Sequence, residues 1–115
     1  MDMPNDHSST MRVLHHARCG YVAACTCCNR LQIGFGTCVV VMEEEEVQAL
    51  MEELAYHHRA FRDKVDPGRK IFPYDLHSRN VYLLLNYQEV GALYELLSQA
   101  LLIHRVYGLL AVEEQ

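Results

Sequence analysis

No run of 18 apolar residues occurs in the 115-residue chain, and the opening Met1-Asp2-Met3-Pro4-Asn5 lacks the basic start and apolar stretch of a secretory signal. The expectation is therefore a cytoplasmic chain that makes no use of the membrane. Positive charge is also scarce. Ten Lys plus Arg stand against 15 Asp plus Glu, and a net charge of −5 gives no pull toward nucleic acid. No Ser sits in a nucleophile elbow, and no Gly-Lys-Ser/Thr follows Gly34-Phe35-Gly36, so the motifs of nucleophilic catalysis and of phosphate loops are missing. Those glycines instead predict a bulge or a close backbone approach within a strand. These absences lean the chain away from an enzyme.

What is present fits one packed domain: half the residues are apolar, at a length near the commonest domain size. Residues 1–18 read as a flexible N-terminal segment and 19–115 as a single α+β domain. Within it, Cys38 to Leu54 lies over Val81 to Leu97 at an offset of 43, with Glu46/Glu89, Val47/Val90, Ala49/Ala92, Leu50/Leu93, Glu52/Glu95 and Leu54/Leu97 identical. Each half reads as a strand running into a helix, preceded by another extended stretch, Tyr21 to Cys25 in one and Lys70 to Tyr74 in the other. The expected architecture is a duplicated ββα unit, with halves at about 20–65 and 69–110. It predicts a mainly antiparallel sheet of about four strands with two helices on one face.

The first helix has acids Glu43 to Glu46 at its start and Arg59, Arg62 and Lys64 toward its end, as the macrodipole favours. Val47, Leu50, Met51, Leu54, His58, Phe61 and Val65 form its core stripe, with His58 the one polar interruption. Asp66-Pro67-Gly68 supplies the turn that ends it. The basic residues between His57 and Arg79 read as a helix end and a solvated loop. At the second helix, Asn86 and Glu89 have capping-box spacing.

Val39-Val40-Val41-Met42 and Val81 to Leu85 are unbroken apolar runs, the pattern of strands buried on both faces. Two helices cover only one face of a sheet, so the other face calls for a partner, and a homodimer is expected. The second helix carries an extra apolar stripe, in which Leu96, Ile103 and Val106 are candidate partner-binding residues.

Five cysteines, an odd number, in a reducing compartment argue against a disulfide framework. Cys25 and Cys28 have the spacing of a zinc knuckle at a turn that Asn29-Arg30 would complete. With no second Cys-x-x-Cys, the remaining candidate ligands are Cys19 and either His15 or His16, a thiolate and imidazole set that suits zinc. Cys27 lies inside the pair and His7 further out. Empty structural thiols and a redox pair stay open as alternatives. The redox reading lacks a helix N-terminus after Cys28 to lower a thiol pKa.

Gly20-Tyr21-Val22-Ala23-Ala24-Cys25-Thr26-Cys27-Cys28, then Gln32-Ile33-Gly34-Phe35-Gly36-Thr37 and the acidic run from Glu43, resembles a group of small uncharacterised proteins of Bacteroidetes-type bacteria with the pattern G-Y-V-x-x-C-x-x-C, then Q-[VI]-x-F-G-[TN]. The resemblance runs from Gly20 to Leu110, with its specific part at residues 20–47, and implies a domain of unknown function. Cys25 and Cys28 take the motif positions; Cys27 departs from it. The leading expectation is a non-enzymatic binding or regulatory module stabilised by zinc. The alternatives are a thiol-based redox or catalytic protein using Cys25 or Cys28, and a metal-free structural homodimer.

Overall fold

The computed structural model describes residues 11–76 and 80–113. Alternating side chains and tight turns build β1 (Met11–Ala17), β2 (Gly20–Cys25), β3 (Leu31–Phe35) and β4 (Cys38–Met42), which pair in chain order as one antiparallel sheet. α1 (Glu44–Ala60) follows. Next come β5 (Phe72–Asp75) and β6 (Tyr82–Leu85), a separate two-stranded sheet, and then α2 (Tyr87–Glu113). The fold class is α+β, as expected, but all four strands of the larger sheet come from the first half of the chain. Residues 11–17, expected within a flexible segment, are its edge strand β1. Residues 1–10, with His7 among them, lie outside the described part.

The two strands expected before the first helix, β2 and β4, are not neighbours, since β3 lies between them, but the two helix starts are capped in a similar way. The Glu46 carboxylate accepts the Glu43 N–H at 2.8 Å, and the Glu89 carboxylate accepts the Asn86 N–H at 2.8 Å. Asn86 Oδ1 in turn accepts the Glu89 N–H at 2.7 Å, completing the predicted box. The matched residues Val47/Val90, Leu50/Leu93 and Leu54/Leu97 are buried in both helices. Yet the hairpins before them, β3-β4 and β5-β6, belong to different sheets. The first closes on the two residues Gly36-Thr37, with Gly36 at φ +60, and the second is held at its end by the Leu76 N–H bond to Val81 O at 2.9 Å. Gly34 lies directly opposite Tyr21, whose ring occupies the space a Cβ there would need, so the expected close approach holds at Gly34, whereas Gly36 sits in the turn with nothing close to it.

Antiparallel register puts Val22, Ala24, Leu31, Ile33, Phe35 and Met42 on one face, all buried in a core shared with both helices. Ile33 and Phe35 meet Leu50 of α1 and Leu93 of α2 around a small gap. A register shift between Val13 and His15 turns Leu14 inward as the one buried residue of β1. The opposite face carries Val13 and Val39, 59% and 57% exposed. Burial on both faces, expected for the apolar runs, is therefore corrected. In β4 only Met42 is buried and in β6 only Leu85, the one-sided pattern of antiparallel strands.

Two further expectations shift by small steps. α1 ends at Ala60, not near Asp66, because the chain turns at once: Lys64 N–H bonds Phe61 O, and Asp63 takes the left-handed φ of +60. The polar residue turned toward the core is His57, whose Nδ1 shares a 2.8 Å hydrogen bond with the buried Tyr74 hydroxyl. His58 is exposed and stacks on Tyr87 with centroids 4.9 Å apart and planes within 7°.

Candidate metal centre

The β2–β3 connection is a five-residue loop whose closure brings three sulfurs together. Cys25 N–H bonds Arg30 O at 2.9 Å, and Asn29 N–H bonds Cys25 O at 3.2 Å, folding residues 25–29 into a single turn. Asn29 sits at φ +60, a conformation its short polar side chain tolerates better than most. Arg30 anchors the turn through a 2.9 Å ion pair with Glu43, at the start of α1. With the loop so fixed, the Sγ atoms of Cys25, Cys27 and Cys28 all lie within 4.8 Å of one another. Thiolates on a tetrahedral zinc, at 2.3 Å from the ion, are about 3.8 Å apart, so small side-chain rotations suffice to seat one.

The sulfurs also share protons. Hydrogen bonds from the Cys28 thiol, then the Cys27 thiol, outweigh burial and lower the Cys25 pKa to about 6 from the usual 9.0. Cys28 moves the other way, because its proton is held by the bond to Cys25. One sulfur of the three is thus a thiolate near neutral pH, and a thiolate is both a soft-metal ligand and a nucleophile. No helix dipole is involved, which is why the strand pattern after Cys28 gave no sign of the shift.

Of the candidate ligands read from sequence, Cys25 and Cys28 lie together in this group. Cys19 does not join them. It lies in the β1–β2 turn at the far end of β2, roughly 20 Å away at 3.3 Å per residue, with its thiol toward the Ala92 carbonyl. His15 pairs with Val22 and His16 with Tyr21, about 10 Å and 13 Å along the strand from Cys25, so neither supplies the imidazole. The third sulfur of the group is that of Cys27, which spacing alone left inside the pair. Cys38 faces Phe35 at the other hairpin. All five cysteines are free thiols.

A cleft of about 1030 Å³ separates this loop from the C-terminal part of α2, with His104, Arg105, Tyr107 and Leu109 on its far wall. His104 and Arg105 face Glu44 at 3.4 and 3.6 Å, and Arg105 also donates to Gln48 at 2.8 Å. Arg12 enters from β1, where it pairs with Ala24, and its guanidinium lies 4.0 Å from the Tyr107 ring centroid. The residues expected to bind a partner divide. Leu96 is 1% exposed and packs in the core, Ile103 is half-buried, and Val106 is 45% exposed.

A family model of unknown function, DUF6686, matches residues 8–114, and the chain belongs to that family. No curated protein matches. No solved structure matches either. Among the described residues no helix is long and apolar enough to cross a membrane.

Proposed function

We propose that the chain is a non-enzymatic metal-thiolate binding module, with zinc held by Cys25, Cys27 and Cys28 at the tip of the β2–β3 hairpin. The observation that carries this reading is the meeting of three sulfurs within 4.8 Å on a loop fixed by its own backbone bonds and by Arg30. Three thiolates suit zinc among the abundant divalent ions. Free thiols throughout fit a reducing compartment such as the cytoplasm. Bound metal ties the loop to β2 and stiffens the hairpin. Hydrogen exchange tests this: adding zinc should slow amide exchange across residues 24–31 while leaving α2 unchanged. Unchanged exchange at the hairpin tip would count against the proposal.

A homodimer through the uncovered sheet face is a second reading, favoured by the exposure of Val13 and Val39 on that face. Sedimentation should then give a dimer that Val39→Lys converts to monomer. A wild-type monomer at high concentration would remove this reading.

A further inference from the structure

Three sulfurs placed to share a metal are also placed to bond one another. The Sγ atoms of Cys25 and Cys27 stand 3.0 Å apart, and that of Cys28 lies within 4.8 Å of both. A disulfide holds its sulfurs about 2.0 Å apart, so the first pair needs an approach of about 1 Å. Chain geometry decides which thiols can join. Cys27 and Cys28 are consecutive, and their Cα atoms lie about 3.8 Å apart, short of the roughly 4.4 Å at which unstrained disulfides begin. Cys25 is adjacent to neither, and its thiol shares hydrogen bonds with both. It is therefore the common member of any unstrained disulfide in the cluster. Cys19 and Cys38 lie at the opposite end of the strands and stay apart from it.

Exposure assigns the order of events. Cys27 and Cys28 are exposed at the hairpin tip, whereas Cys25 is 7% exposed. An oxidant arriving from solvent meets one of the outer sulfurs, and Cys25 is the neighbour that resolves the product. Resting on the metal reading above, we infer that the cluster is a peroxide-sensitive switch in which a disulfide from Cys25 to Cys27 or Cys28 expels the zinc. The outer sulfur attacks a peroxide oxygen, the O–O bond breaks, and a sulfenic acid and one water result. The Cys25 sulfur then displaces that hydroxyl, forming the S–S bond and a second water. Two protons complete the waters, taken from the thiols or, where the sulfurs are metal-bound thiolates, from solvent. The sulfurs lose two electrons and the peroxide gains them. One thiolate of three then remains, too few to hold the ion.

The test uses the full chain carrying Cys19→Ser and Cys38→Ser, loaded with zinc and treated with hydrogen peroxide. A chromophoric chelator too weak to strip the untreated protein reads released zinc, and intact mass reads the sulfurs. Release of the bound zinc should accompany loss of two hydrogens relative to the reduced metal-free chain, and dithiothreitol should reverse both. In the same background and without metal, Cys27→Ser and Cys28→Ser should each still lose two hydrogens, whereas Cys25→Ser should gain oxygen instead. Zinc that stays bound through peroxide, or leaves only with oxygen additions that dithiothreitol cannot remove, would overturn the inference and leave the metal reading standing. So would loss of two hydrogens by Cys25→Ser. A chain that takes up no zinc would overturn the metal reading, and the switch with it.

Discussion

The sulfurs of Cys25 and Cys27 lie 3.0 Å apart with one residue between them, closer than two thiolates stand on a tetrahedral ion, at about 3.8 Å. A metal must therefore spread this pair slightly, and all three residues act as one set. Cys27→Ser should weaken zinc binding by more than the roughly 10- to 100-fold that follows loss of an outer-shell partner. Cys19→Ser should leave it unchanged. Competition with a chromophoric chelator reads both. Equal affinities in the two variants would remove Cys27 from the site.

Glu89 links the start of α2 to Lys70 through bonds of 2.7 and 2.9 Å. Burial raises the pKa of its carboxyl, but the Lys70 bond and the bond to the Asn86 amide outweigh it, and the net shift is downward from 4.5. A depressed carboxylate stabilises the fold fully above its unfolded value and loses that contribution as pH falls through the lower folded one. Glu89→Gln keeps the reach to Asn86 and loses the charge, so at pH 7 it should cost less than about 1 kcal/mol. The difference from wild type should shrink below pH 4.5. Urea unfolding across pH measures it, and a difference that grows toward acid would contradict the linkage.

Tyr74 is fully buried and bonded to His57, and burial, aided by the nearby Glu53 charge, raises its pKa. It should be the last tyrosine to ionise when the folded protein is titrated by absorbance. Tyr74→Phe should delete that final step and destabilise the fold by about 1 kcal/mol. Loss of an early step instead would place Tyr74 in contact with solvent.

Gly91 lies beneath the His58 ring, and a Cβ there would come within 2.8 Å of Nε2. Gly91→Ala gains about 1 kcal/mol of helix propensity but displaces His58 from its stack on Tyr87, worth about the same, so the single change should be near neutral. In a His58→Ala background the same change should stabilise by about 1 kcal/mol, read from thermal or urea unfolding. Equal effects in both backgrounds would mean the stack contributes nothing.

Where local chemistry decides structure, the sequence was readable. Asn86 with Glu89 marked the start of α2, and the strand runs at 39–42 and 81–85 lie where β4 and β6 form. Apolar periodicity could not say which faces stay open, because a run such as Val39 to Met42 is compatible with burial on one side or two. β1 escaped notice because Arg12, His15 and His16 break the apolar alternation and the bulge at Leu14 resets its phase. His57 and His58 are one residue apart, a rotation of about 100° on a helix, and the early stop at Asp63 was not marked by Gly or Pro. At the cysteine cluster, spacing marked Cys25 and Cys28 but sent the search for a third sulfur upstream. The signal for Cys27 was Asn29, whose left-handed turn confines residues 26–29 to one hairpin tip.

Metal content by mass spectrometry tests the central claim most directly, on protein purified without an immobilised-metal column. The account predicts about one zinc per chain in wild type and in the Cys19→Ser, Cys38→Ser double variant, and none in the Cys25→Ser, Cys27→Ser, Cys28→Ser triple variant, both variants being checked for folding by circular dichroism. A folded wild type that stays metal-free after incubation with zinc, or a triple variant that retains the ion, would contradict it.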